Sequence, residues 1–440
     1  MHRYGLMFLL VLLLALPEVE AAGGIVVRVT KGAGDAQPIG IVPFGVETRN
    51  GSPARLPLDV AEVVAADLER SGRFKPLPRE DMLERPTRGD DIQFQNWRVL
   101  GTDNVLVGKV IVEAERYIIQ FQLFDVFRGD QLLGFSLPVA KDKLRRGAHV
   151  VADKVFEALT GVRGAFSTRI AFVTAVKDGD VTRYQLVVAD ADGENQRTVL
   201  RSVKPIMSPA WSPDGRKLAY VSFENDAAEI YVQELATGSR KVVSSRPGIN
   251  GAPSFSPSGR MLAVTLSSEA GNPDIWLIDL EDGRTRRITR HAAIDTEPSW
   301  TADESAVLFT SDRGGSPQIY RVELRDRYNA KRVTFEGNYN ASPSLTPDGK
   351  LLTMVTQANG QFRIAVMDME SKAVRILTDG GLDESPSIAP NGSMIIYATQ
   401  AGRQGILAAT STDGRVQQQL ALQVGDVREP AWSPYPPGER

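Results

Sequence analysis

Cysteine is absent from all 440 residues, which excludes a disulfide framework, a thiolate nucleophile and a lipid-modified cysteine. Histidine is scarce: three in the chain, of which His149 and His291 lie beyond the first 21 residues. Zinc sites need clustered His, Cys or carboxylate ligands, and neither histidine stands at such a spacing. Charge of one sign is lacking as well, because the formal net charge is −3, leaving no electrostatic footprint for nucleic acid or an anionic membrane surface. The apolar run Leu6–Leu16 is too short to serve as a permanent bilayer anchor. It follows the basic Arg3 and precedes the small-residue end Val19-Glu20-Ala21, so residues 1–21 read as a cleaved signal peptide. No nucleophile elbow, P-loop or dinucleotide glycine pattern occurs at a strand–helix junction.

What the chain does have is a phrase repeated six times. It reads Pro209-Ala-Trp-Ser-Pro213, Pro253-Ser-Phe-Ser-Pro257, Pro298-Ser-Trp-Thr-Ala302, Pro343-Ser-Leu-Thr-Pro347, Pro386-Ser-Ile-Ala-Pro390 and Pro430-Ala-Trp-Ser-Pro434, at intervals of 43–45 residues. That period is a four-stranded propeller blade. Turn chemistry such as Asp214-Gly215 or Asn391-Gly392 follows, and then three short apolar or β-branched runs. The last phrase has only enough chain left for one strand. Residues 169–200 have three strand-like runs and lack the first. Joining these ends gives a six-bladed ring clasped by residues 430–435, with few open sheet edges, as suits a monomer.

Residues 34–162 read as a separate small α/β domain. A buried strand at 39–44, an amphipathic helix at 58–71, a strand meander at 104–112, 117–127 and 131–137, and a second helix at 143–160 ending before Gly161 make its layers. The expected fold class is therefore an all-β six-bladed β-propeller, residues 163–440, preceded by a small α/β domain. Residues 22–33 form an N-terminal segment. Within it Ile25, Val26, Val27, Arg28 and Val29 read either as a strand packed on the small domain or as a peptide that a partner captures by strand addition.

The residues just before each phrase converge, as loops, on one mouth of the central channel: Ile206–Ser208, Ile249–Ala252, Asp295–Glu297, Asn340–Ser342, Asp383–Ser385 and Val427–Glu429. Loops on a rigid scaffold gather binding contacts. Asp295, Glu297, Asp383, Glu384 and Glu429 make this mouth acidic, and an adventitious Ca²⁺ is the ligand such oxygen donors suit; no other cofactor or metal is expected. The alternative reading is a propeller hydrolase or lactonase using Glu297, Asp383 and Glu429, but no histidine accompanies them.

The repeated phrase with its Asp-Gly turn, the segment Gly164–Val173, Gln37-Pro-Ile-Gly-Ile-Val-Pro-Phe44, Phe124-Asp-Val-Phe127 with Leu132-Leu-Gly134, and the ending Pro430-Ala-Trp-Ser-Pro-Tyr435 together resemble the TolB family of the Tol–Pal cell-envelope system. The resemblance spans essentially the whole chain after residue 21. It implies a periplasmic, non-enzymatic scaffold that supports outer-membrane integrity and cell division. It also implies that the mouth binds the peptidoglycan-associated lipoprotein Pal through Ala252 and Thr296 and their neighbours Ile249, Asn250, Asp295, Glu297, Asn340, Asp383, Glu384 and Arg428. Ile249 stands where members of the family often have His. By the same resemblance, Ile25, Val26, Val27, Arg28 and Val29 would bind the inner-membrane protein TolA.

Overall fold

Alternation with period two decides the larger part of the architecture. Ile170 and Phe172 point to one side of their strand and Ala171 and Val173 to the other, and all four are buried. A strand apolar on both faces needs a sheet on each side. In the computed structural model, which describes residues 25–31, 34–267, 271–422 and 425–436, six such sheets stand around a central channel. The expected signal peptide and residues 22–24 lie outside the described residues. Blade 2 runs from Ile206 to Ser244, blade 3 from Asn250 to Arg287, blade 4 from Asp295 to Arg332 and blade 5 from Asn340 to Ile376. Blade 6 contains Glu384–Ile388, Met394–Ala401, Gln404–Ser411 and Gln417–Leu422.

Blade 1 is the composite one. Asp426–Trp432 supplies its innermost strand and pairs antiparallel with Arg169–Asp178, Arg428 lying opposite Val173 and Trp432 opposite Ile170. Six apolar cores follow, one at each contact between neighbouring blades. The core between blades 6 and 1 joins Ile396, Leu407 and Leu420 to Ile170, Phe172 and Val187, so ring closure is sealed by the same burial as every other contact.

The N-terminal strand departs from the expectation that it packs on the small domain. Ile25–Lys31 adds to blade 6 as a fifth, outermost strand, antiparallel to Gln417–Leu422, with Ile25 opposite Leu422 and Val29 opposite Gln418. Blade 6 offers an open edge there, and backbone pairing satisfies it.

The small domain has a sheet ordered Phe74–Pro76, Gln37–Ile41, Asn104–Val112, Arg116–Asp125 and Gln131–Ala140, with Gly45–Thr48 also pairing to Asn104–Val112. Its helices are α1 (Val60–Arg70), α2 (Phe94–Val99) and α3 (Leu144–Thr160). The Asp59 carboxylate accepts from the Glu62 N–H at the start of α1, and Gly161 ends α3 with φ 73°. α1 and α3 cover one face through Val60, Val64, Leu68, Val151 and Val155. Trp97 of α2 fills the other, its indole N–H donating to Glu84 at 2.7 Å.

This domain sits on the propeller face that carries the Pro-Asp-Gly turns. Asn391, in the turn of blade 6, donates to the Arg163 carbonyl at 2.9 Å, and Arg70 donates to the Ala191 carbonyl at 2.6 Å. Gly72 has φ 67°, and a Cβ there would stand 2.2 Å from a Val416 methyl. Only glycine allows that approach. The short linker is pinned by Asp153, which accepts from the Phe166 N–H at 2.7 Å and the Ser167 N–H at 3.2 Å. The opposite face, with the residues that precede each phrase, is free of the small domain.

Candidate functional site

The residues before each phrase are strand, not loop. Each innermost strand begins three residues ahead of its first proline in blades 2 to 5, and pairing continues up to a bulge at the proline itself. In blade 4, for example, Thr296 pairs with Thr310 and Ser299 with Leu308, so Glu297 and Pro298 together oppose Phe309. The same two-against-one step recurs in blades 6 and 1. A proline has no N–H to leave unpaired, which is why the extra residue of a bulge tolerates one.

The bulge imposes one unusual conformation six times. Ser208, Ala252, Glu297, Ser342, Ser385 and Glu429 have φ of 51°, 45°, 55°, 53°, 53° and 50°, left-handed values at non-glycine residues. No sequence signal announced this, because glycine or asparagine, the usual occupants, stand at none of the six positions. Together with the prolines, these residues line a channel cavity of about 520 Å³. The two acidic members clasp neighbouring blades. Glu297 accepts from the Ser342 N–H at 2.9 Å, the Ser342 hydroxyl at 2.7 Å and the Thr310 hydroxyl at 2.7 Å. Glu429 accepts from the Ser208 N–H, and burial, reinforced by Glu384 nearby, pushes its carboxyl up from the ordinary value.

The position three before the proline corrects the expectation of a polar, accessible mouth. Asn250, Asp295, Asn340 and Asp383 are all buried. Strand alternation turns them inward, and each is tied by local bonds, although Asn340 Oδ1 itself has no hydrogen-bond partner. Asp295 receives both of its oxygens' bonds from the Arg313 guanidinium at 2.8 Å, and Arg313 lies over the Phe309 and Tyr320 rings. Asp383 accepts from the Thr378 and Thr399 hydroxyls at 2.5 and 2.6 Å. Asn250 accepts from the Ser244 hydroxyl at 2.6 Å, and Asn340 donates to Gln318 at 2.9 Å. All four are buried at, or directly before, the start of an innermost strand.

What the mouth does present is uneven. Thr296 is half-buried, its hydroxyl 3.3 Å from that of Thr265, and Ala252 is half-buried beside it. Val203, Ile249, Ile294 and Phe335, on the segments that join one blade to the next across blades 1 to 5, are exposed, and so is Met207 near the start of the innermost strand of blade 2. Blades 6 and 1 instead frame a charged depression of about 290 Å³ around Glu384, Arg403, Asp426 and Arg428. Glu384 and Arg428 are exposed there, as expected of them.

The channel offers poor means for hydrolysis. Its carboxylates are tied into blade-to-blade bonds, and His291 is exposed on an inter-blade loop. Among the described residues, the group of His and carboxylates close enough to hold a metal is Asp67, His149 and Asp192, away from the channel. No helix among the described residues is long and apolar enough to cross a membrane.

A closed ring with one covered face and one open, unevenly apolar mouth has the form of an interaction module. Residues 156–436 match the family described as the TolB beta propeller domain, and residues 25–132 the TolB amino-terminal domain. The chain is 48% identical over 430 residues to the Tol-Pal system protein TolB of Xanthomonas oryzae pv. oryzae, covering 97% of each, and 48% identical over 427 residues to that of Xanthomonas euvesicatoria pv. vesicatoria, covering 96% of each. The crystal structure of TolB from Acinetobacter baumannii superposes with a TM-score of 0.86 at 42% identity, over 93% of this chain and 100% of that one. The chain belongs to the TolB family of the Tol–Pal system.

Proposed function

We propose that the chain acts in the periplasm as the scaffold that joins Pal to TolA, supporting outer-membrane integrity and cell division. The propeller mouth binds Pal, and the N-terminal segment binds TolA. The observation that carries the first half is the concentration of exposed Val203, Met207, Ile249, Ile294 and Phe335 beside Ala252 and Thr296. Scattered surface apolars need no explanation, but a set gathered on one rim is the composition of a protein-binding patch. Glu384 and Arg428 on the opposite rim supply orientation by charge. The second half rests on a strand, Ile25–Lys31, held along one side alone, which makes it available for pairing with another edge.

The test is crosslinking in the periplasm followed by mass spectrometry, with Thr296→Arg as the comparison. Recovery of a peptidoglycan-bound lipoprotein from the unsubstituted chain, lost in Thr296→Arg with thermal unfolding unchanged, is the expected outcome. Consistent absence of that lipoprotein overturns the Pal assignment, and a fold-wide loss of stability would make Thr296 architectural.

A further inference from the structure

Beneath the small domain lies a cluster of ionisable groups that the mouth does not use. His149 of α3 is buried, with 1% of its side chain exposed. Its Nδ1 stands 2.6 Å from Asp67 Oδ2 on α1, within its own domain. Its Nε2 has no hydrogen-bond partner and points across the domain boundary. There it meets Asp192 Oδ2 at 3.5 Å, on the turn that joins the two outer strands of blade 1, and Asp190 Oδ2 at 4.0 Å, at the end of the strand leading into that turn.

The surrounding charges say what is missing. Asp67, Asp190 and Asp192 face the imidazole. Arg70 of α1 pairs with Asp67 at 2.9 Å, and Arg145 of α3 with Asp192 at 2.5 Å. Among the groups that touch the ring or pair directly with its neighbours, three carboxylates against two guanidiniums leave one positive charge wanting; Arg169 acts on Asp190 from farther off, and burial pushes the Asp190 carboxyl up. A divalent cation would exceed that need beside two arginines; a single proton on His149 meets it. Farther out are Glu194 on the same blade 1 turn and Asp153 one turn along α3. With Nδ1–H given to Asp67, a neutral ring turns a lone pair toward the Asp192 and Asp190 oxygens, so acceptor faces acceptor. The protonated ring has a second N–H to give.

We propose that protonation of His149 fastens the small domain to blade 1 of the propeller, and that its deprotonation loosens that contact. Burial opposes the charged ring, but Asp67 and Asp192 outweigh it, with Arg70 acting against them, and the net displacement of its pKa is upward from 6.5. A histidine raised in the folded state adds stability that is complete below its unfolded pKa and is lost as pH rises through the folded one. The fastening is therefore tight in acid and slack in mild alkali.

The absence of cysteine makes the test direct. Val99→Cys on α2 and Val242→Cys on blade 2, both at exposed positions, take spin labels on an otherwise unreactive full-length chain. The interdomain distance distribution measured by pulsed electron resonance narrows between roughly pH 8.5 and pH 5.5. His149→Gln loses that response, and so does Asp192→Asn, which leaves the His149–Asp67 pair intact and serves if the first variant does not fold. Asp153→Asn keeps it, separating the latch from the linker carboxylate. In parallel, NMR of selectively labelled histidine places the His149 midpoint above 6.5, the ordinary histidine value. A distribution indifferent to pH, a response surviving in both latch variants, or a His149 midpoint at or below about 6.5 overturns the proposal.

Discussion

Replacing Asp295 by alanine separates architecture from recognition at the mouth. The carboxylate is wholly buried and its one cationic partner, Arg313, has 13% of its side chain exposed. Both Asp295 oxygens are 2.8 Å from the same guanidinium nitrogen, and the guanidinium is stacked on Phe309 and Tyr320, so it has no easy route to solvent. Removing one partner of a buried ion pair leaves the other uncompensated, at a cost of about 3–5 kcal/mol. For a domain of this size that corresponds to a fall in Tm of roughly 6–20 °C, taking ~2–4 °C for each kcal/mol. Arg313→Met should cost a similar amount, because it strands the carboxylate instead. The double variant Asp295→Leu with Arg313→Met should cost well under the sum, since replacing both charges by apolar groups removes the stranded ion. Thermal unfolding followed by circular dichroism, with lipoprotein binding measured on the same samples, reads all three. Lost binding with a stability change below ~1 kcal/mol, the range of an ordinary surface substitution, would refute the reasoning and return Asp295 to the partner surface.

Three further outcomes are expected. Trp300 is buried and donates to the Ser254 carbonyl of the preceding blade at 3.0 Å, so Trp300→Ala should cost ~3–5 kcal/mol, whereas half-buried Trp432, donating to Thr168, should cost less; equal losses in a denaturant titration would contradict the ranking. Gly72→Ala should weaken domain docking, because its Cβ meets Val416 at 2.2 Å and its φ is 67°; limited proteolysis of the 161–168 linker should accelerate, and an unchanged rate would count against it. Burial pushes the Asp153 carboxyl up to about 6, against the bonds from Ser167 and Phe166 that favour its charge. The folded chain therefore binds this proton more tightly than the unfolded one, and stability falls by about 3 kcal/mol as pH rises from ~4 to ~6, then levels. Asp153→Asn should flatten the Tm profile over that window, and an unaltered slope would assign it to other groups.

The ring was legible because its information is local and repeated. Pro213-Asp214-Gly215 and its copies are turn chemistry readable within a few residues, and the one-strand deficit at residues 169–200 pointed to the surplus at residues 430–435, where the structure has the strand Asp426–Trp432. The two long helices of the small domain were legible from their apolar stripes. Gly45–Thr48, Phe74–Pro76 and α2 were not, being too short for periodicity to accumulate. The mouth misled for a different reason. Asn250, Asp295, Asn340 and Asp383 have the composition of loops, yet their partners Ser244, Arg313, Gln318, Thr378 and Thr399 are brought to them by the folded sheet. Trp432 looked like Trp211 and Trp300 in its phrase, but it faces the cavity of about 380 Å³ between the domains, beside Phe156 and Met394. The exposed rim residues lie outside the phrase altogether, in segments with no shared pattern. His149 stood alone on a helix, and its counter-charges come from residues 82 positions before it and 41 and 43 after it.

The fifth strand of blade 6 has a mechanical meaning. Ile25–Lys31 is antiparallel to Gln417–Leu422, with Ile25 opposite Leu422 and its attachment to the rest of the fold beyond Lys31. Tension applied at the N-terminus and directed away from the sheet opens the Ile25–Leu422 pair first and then each pair in turn, a peeling geometry that meets one hydrogen-bonded step at a time. The four strands beneath, of which Met394–Ala401 and Gln404–Ser411 have apolar cores on both sides, are not on that line of force. Such a strand can be stripped from the ring at low force while the ring stays closed.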